Sequence, residues 1–559
     1  MTPQNVFATT RFMNSRNSAP IPPNREALHS SSETSKAMNN NISRAYAIVP
    51  SRLLQPGLTR LLLAGLILTL SIQVLCAGSA MWDLNPLNGD WNTAANWTPA
   101  TVPNGSADTA TFRNSSTTDL SVSGFTEVNR IVFSQGGDAY TIVSNPKGDF
   151  SVLNITGAGI SNDSGIVQNF VAAADAAGGQ GGIGFDGFAS AGSLTTFTNQ
   201  ANPVVGIDSG VTDFLATASA GNGTFINEGG VVSGGTAGVT VFFNSATAAN
   251  AILISSGGTV SGAPGGSTTF TLKSHARNAT LIASSGINGG GGGQIVFWDS
   301  SSGDTARVEL FGNGFLSLAP HKGGVTVGSL EGDGVVQLFD HVLSVGSNDL
   351  STTFSGVIEE GSSEVSGGAL TKLGAGTLTL TGANTYPGST RVTAGSLELN
   401  NATGSATGTG AVKVDAGTLG GTGIIAGTVT VGSGSGAGAF LTPGQGARRP
   451  AALTIQSALT FKADATYACT LNSKKAKADQ VVASGITIES GAQFKFIAIG
   501  NKRLSAGQVF TAISNTSATL ISGAFANLPA GSTFTAGRNS FQVSYEGGDG
   551  NDLTLTVAP

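Results

Sequence analysis

The chain has 559 residues, 81 of them Gly, with 11% charged, 7% aromatic and 40% hydrophobic residues and a formal net charge of −6. It is too apolar and too sparsely charged to be disordered throughout, and its glycines follow no Gly-X-Y period, which excludes a collagen. Beyond Arg60 it holds 20 basic against 31 acidic residues, so no basic face is available for a nucleic-acid backbone and no such partner is expected.

Residues 1–80 are expected to be a disordered leader and signal peptide. Arg52 and Arg60 precede the apolar run Leu61–Leu75, and the small residues Ala77-Gly78-Ser79-Ala80 follow it, the order of a secretory signal cleaved near Ala80. The run is short for a bilayer span, so no stable membrane span is expected after cleavage. Either Met1 or Met38 would serve as the start. Cys76 falls in the leader behind the bulky Leu75, which argues against lipid attachment. The exported chain then keeps Cys469 and cannot close an internal disulfide.

Residues 81–192 are expected to hold an N-terminal cap and the first rungs of a repeat. Trp82, Trp91 and Trp97 crowd its start, with Asn92, Asn96, Pro99, Pro103 and Asn104 as turn formers. Two roles suit such rings: a platform on which pyranose faces stack, or a plug over the open end of a solenoid, whose apolar interior is otherwise exposed. The plug is the expected role.

Over residues 193–320 the chain repeats at a period of about 27 residues, in the range of stacked supersecondary units. Phe214, Phe243, Phe270 and Phe297 mark it and are expected to form an internal stack. The steps holding Asn222, Asn250 and Asn278 are expected to form a ladder at a turn, and Gly289 to Gly293 a loop.

Residues 321–446 form the next region, with its core at 369–400. In Thr377-Leu378-Thr379-Leu380-Thr381 and Ser396-Leu397-Glu398-Leu399-Asn400, polar and apolar residues alternate as in half-buried strands. Gly376, Gly382, Gly388 and Gly395, with Pro387, supply turn chemistry between them. No helix-length periodicity intervenes. Leu370, Thr371, Lys372, Gly374, Gly376 to Leu378, Leu380, Asn384 to Tyr386, Gly388, Thr390, Val392, Gly395 and Leu397 together resemble the autotransporter-associated β-strand repeat. The resemblance implies an all-β, right-handed parallel β-helix on an exported bacterial protein; alternation alone gives repeated short strands. The string Gly89 to Trp97 is similar to the opening of large secreted proteins with this repeat, which favours the plug. The stretch Gly432–Gly446 and Arg448-Arg449-Pro450 reads as a surface loop or exposed break.

Residues 447–559 are expected to be a C-terminal β region closing the solenoid. Autotransporters of this group end in a membrane barrel. Here no series of long amphipathic strands precedes Val557-Ala558-Pro559, so the resemblance is to the passenger and not the pore.

Candidate chemistry is thin. Asp549 and Asp552, in Gly547-Gly548-Asp549-Gly550-Asn551-Asp552-Leu553, fit one copy of a calcium-binding nonapeptide, which offers half a site; a turn before the last strand is expected instead. Gly421 to Ala426 fits a loose dinucleotide fingerprint, but strand and not helix follows. Asp299, Asp304, Asp333, Asp340 and Asp349 with His321 and His341 are the densest acid–base set, spread singly over turns. No catalytic residues, cofactor or firm metal site are expected. The function read from the sequence is a non-enzymatic exported scaffold for adhesion, matrix or envelope structure, with a surface or extracellular polysaccharide or protein as partner. The alternative is a polysaccharide-active or polysaccharide-binding protein on the same scaffold.

Overall fold

A computed structural model describes residues 78–145, 150–361, 366–436, 438–444 and 450–559. Residues 1–77 of the leader and the Arg448-Arg449 break fall outside the described residues, and within the stretch expected as a loop Ala439–Pro443 is instead a strand, paired with Gly417–Gly421. Ala80, near which cleavage is expected, opens the first strand, Ala80–Trp82, and pairs with Ala110; a cut after Ala80 would remove that pairing residue.

The described residues are strands and tight turns, with one 3-10 turn at Ala94–Asn96. Three long ladders run side by side. The first holds 13 strands, from Trp97–Thr98 and Ala80–Trp82 to Val357–Glu359. The second passes from Asp119–Val122 through Val-, Leu- and Phe-bearing strands to Gln493–Ile499. The third, of eight strands, begins at Val325–Val327 and ends at Ile486–Ile488. Neighbours in these ladders are parallel apart from the opening pair Met81–Trp82 with Trp97–Thr98 and a short antiparallel flap, Lys477–Ala478. Consecutive turns of the chain therefore stack as coils of a parallel β-helix, each hiding its neighbour's apolar face.

Register is set by that apolar face, because a one-residue slip would turn every side chain to the other side. Val211–Phe214 pairs with Val239–Phe242, which pairs with Ser267–Phe270 and then Gln294–Phe297. The rings of Phe185, Phe214, Phe242, Phe270 and Phe297 lie nearly parallel at centroid spacings of 4.8, 4.7, 4.8 and 5.0 Å, close to the strand spacing itself. A second column, Phe170, Phe197 and Phe225, runs beside it at 4.9 and 4.7 Å. The expected stack is present with one correction. Its member in the second coil is Phe242; Phe243 lies one residue past the strand, where period-2 alternation denies it the same inward position.

Coils shorten along the chain. Asn250 and Asn222 are 28 residues apart in adjacent coils, whereas Ser396 stacks on Thr377. The long coils carry Gly-rich corners where backbones nearly touch. A Cβ on Gly257 would overlap the backbone of Ser285 and Gly286, which explains part of the glycine excess.

Both ends are closed. Trp82, Trp91 and Trp97 are 0–1% exposed and pack on Phe112, and Trp91 N donates to Ser121 O, so their segment covers the starts of two ladders. At the other end Val509–Asn515 pairs antiparallel with Asp552–Val557, followed outward by Asn539–Gly547 and Thr533–Ala536. These strands belong to a seven-stranded sheet that starts parallel through Ile424–Ile425, Ala452–Ile455 and Gln480–Ala483, and the change of direction ends its parallel stacking.

Candidate functional site

Four polar motif residues of 369–400, Lys372, Asn384, Tyr386 and Thr390, face inward. Lys372 is 1% exposed; its Nζ donates to the carbonyls of Leu373, Gly374 (2.9 Å) and Ala394 (3.4 Å), the last in the next coil. Burial pushes its ammonium below the usual lysine value. Asn384 Oδ1 accepts from Ile358 N at 2.7 Å in the preceding coil, and its Nδ2 donates to Ala406 O at 2.5 Å in the following one. Tyr386 Oη meets Thr390 Oγ1 at 2.6 Å in the core. These polar groups are spent on cohesion, and none is presented to a ligand.

The residues singled out from sequence for chemistry are held in structural contacts. Burial of Trp82, Trp91 and Trp97 leaves no free ring face, so the sugar-platform role does not fit them as they are packed; Trp91 Nε1 donates to Pro103 O and Trp97 Nε1 to Trp91 O. Asp549 lies in the hairpin turn that joins Asn539–Gly547 to Asp552–Val557. Asp552 accepts from Asn515 N at 2.9 Å, so the two carboxylates belong to the turn expected there. No cluster of three metal-ligating side chains occurs among the described residues. In the acid–base set, Asp299 pairs with Lys322 at 3.0 Å and Asp340 with His341 at 3.2 Å. Asp304 holds His275 at 3.1 Å, Asp333 accepts from Gly312 N, and Asp349 from Ala375 N. His321 is 7% exposed between Ser301 O and Gly323 O. Gly421 to Ala426 leads from strand to strand, with Val429–Val431 next, and no helix receives a phosphate.

What remains for contact with other molecules is the outward face. At one corner Asn250 Nδ2 donates to Asn222 Oδ1 at 3.0 Å, Asn278 Nδ2 to Asn250 Oδ1 at 3.1 Å, and Thr305 Oγ1 to Asn278 Oδ1 at 2.5 Å: the expected asparagine ladder, exposed along its length. On the second ladder's outer face Arg307 joins Glu309 at 3.0 Å and Glu331 more closely, and Glu331 holds its guanidinium above the usual arginine value. One coil on, an open groove of about 450 Å³ is lined by Phe311, Glu331, Ser351, Thr353, Thr377 and Thr379. Further along, Glu398 lies against Gly420, and burial pushes its carboxyl up to about 7. Sequence reasoning missed the groove because its lining comes from four coils; the outward Thr-x-Thr of 377–379 was its one visible trace. Among the described residues no helix is long and apolar enough to cross a membrane.

Comparison with known proteins finds the following similarities. Residues 370–399 match the passenger-associated-transport-repeat family. Over 99 residues the chain is 46% identical to the adhesin BmaC autotransporter of Brucella suis biovar 1 (strain 1330), an alignment that covers 16% of this chain and 3% of that protein. The crystal structure of the Haemophilus influenzae Hap adhesin is similar at 11% identity and a TM-score of 0.25 over 81% of this chain and 64% of that one, a level from which neither fold nor function is drawn. Residues 370–399 are thus similar to a passenger-associated-transport repeat, and they are set in a parallel β-helix.

Proposed function

We propose that this chain is exported and displayed at the cell surface as a non-enzymatic adhesive scaffold, holding its outward corners and faces against a polysaccharide or protein outside the cell. The observation that carries the reading is the division of labour between faces. Lys372, Asn384, Tyr386 and Thr390 bind coil to coil, while the Asn222–Asn250–Asn278 ladder and the Arg307–Glu331 face are directed outward. The adhesin BmaC autotransporter supports it by name over a short segment. Stacked turns do bring His321 and His341 together, with ring centroids 6.2 Å apart, but a polysaccharide-cleaving role has less support, since His321 is held between Ser301 O and Gly323 O, and Asp299, Asp340 and Asp304 are tied to Lys322, His341 and His275.

The test is a deletion strain compared with its parent for adhesion to abiotic and cell surfaces, with fractionation and surface protease digestion of the tagged protein. Protease-accessible protein and reduced adhesion in the deletion are expected. Protein retained inside intact cells would overturn display, and release of unsaturated oligosaccharides from acidic polysaccharides by purified protein would overturn the non-enzymatic assignment.

A further inference from the structure

The groove on the outer face of the second ladder lies where coils lose register. Val308 and its neighbours in Arg307–Leu310 pair with Ser329–Gly332 over four residues, and Thr352–Phe354 pairs with Leu378–Leu380 over three. Between them, Ser329–Gly332 and Thr352–Phe354 share the single pair Gly332 with Phe354. The two strands part beside Glu331 and Thr353. The Asn348 side chain, which donates to Ser329 Oγ at 3.2 Å, occupies the loop that leads into the departing strand. The resulting groove has a volume in the range of small-ligand sites.

Its lining is uneven in a chemically specific way. Phe311 is 41% exposed and gives an aromatic surface at one side. Ser351, Thr353, Thr377 and Thr379 set rows of hydroxyls at the other, on successive coils one strand spacing apart. Glu331 supplies a carboxylate acceptor. The cation nearest by, Arg307, is engaged by both Glu309 and Glu331 and has no charge to spare for an anion. A ring face, many hydroxyls that both donate and accept, and an acidic acceptor suit an uncharged glycan: one sugar's C–H face lies on the phenyl group and the hydroxyls of the sugars next to it meet the threonines. A uronate, sulfate or phosphate would meet Glu331 unfavourably.

We propose that this groove is a subsite for a neutral glycan, its successive sugar units running across the coils from Phe311 to the Thr377–Thr379 strand. The proposal gives the adhesive reading a ligand class and rests on that reading for its biological use, but binding itself is measurable without it.

The experiment titrates the purified full exported chain with cellohexaose, laminarihexaose, mannohexaose and chitohexaose, and with trigalacturonate as an acidic control. Calorimetry and saturation-transfer NMR are the readouts. At least one neutral hexasaccharide is expected to bind, with affinity reduced about tenfold in Phe311→Ala and several-fold in Thr379→Val, each change read as a ratio of Kd values. Both side chains lie outside the core, and unchanged melting temperatures identify folded variants. If none of the four neutral sugars binds at millimolar concentration, if trigalacturonate binds better, or if both folded variants bind as the parent does, the subsite is wrong. Neutral-sugar binding lost in the variants, with adhesion unchanged in a strain carrying Phe311→Ala, would keep the subsite and remove its adhesive role.

Discussion

The Ile358 amide donates to Asn384 Oδ1 at 2.7 Å across a coil boundary, and the same side chain passes the connection on to Ala406 O. A buried asparagine that serves three coils removes two backbone groups from the count of unsatisfied ones. Asn384→Ala leaves both without partners, a loss of about 2–4 kcal/mol. Hydrogen exchange should place the opening at residues 358, 384 and 406, with little change in distant coils because solenoid stability is a sum over neighbours. Uniform loss of protection along the chain would contradict it.

Phe242 is the third ring of a five-ring column, stacked on Phe214 at 4.7 Å and Phe270 at 4.8 Å. Phe242→Ala should destabilise by about 3–5 kcal/mol, the transfer and cavity cost of a fully buried ring. Phe242→Leu should lose clearly less, since it refills most of the volume. Denaturant unfolding of the two variants measures the difference, and equal losses would mean that the column is loosely packed.

Gly257→Ala tests a close backbone approach. Its Cβ would overlap the backbone of Ser285 and Gly286 in the next coil, which a flexible side chain cannot relieve by moving aside. A loss of about 2 kcal/mol or more is expected from overpacking. Gly507→Ala, at a turn with open space around it and φ of 82°, should cost less, about 1 kcal/mol from the left-handed backbone alone. Thermal melts of the pair would reveal the order.

Acidity bears on the C-terminal region through Asp479. It is fully buried, and burial pushes its carboxyl up to about 6 even though Thr470 N and Ala451 N donate to it. Between the ordinary aspartate value and about 6 the folded chain holds a proton that the unfolded chain has released. Folded stability contributed here is therefore present at low pH and declines as pH rises through that window, by on the order of 1–3 kcal/mol. Asp479→Asn should flatten this component: the difference in unfolding free energy between variant and parent, measured at pH 4 and pH 7.5, should shift in favour of the variant at the higher pH. No change in that difference would refute the assignment.

Much of this molecule was legible in the chain itself. Alternation at Thr377–Thr381 and Ser396–Asn400 fixed strands, because period 2 follows from the backbone alone, and spacing near 27 residues fixed stacking, because no single repeat can bury its own apolar face. The asparagine ladder followed from the same spacing. Register to one residue did not: Phe242 and Phe243 are both phenylalanine and both buried, and only pairing with Val211–Phe214 and Ser267–Phe270 selects Phe242 for the ring column. The plug expected of Trp82, Trp91 and Trp97 also rested on packing for its detail, since only the tertiary structure places Phe112 beneath the three rings. The groove beside Phe311 needed the tertiary structure altogether, because it is an imperfection in how coils meet, and a linear pattern describes each coil but not the gap between two of them.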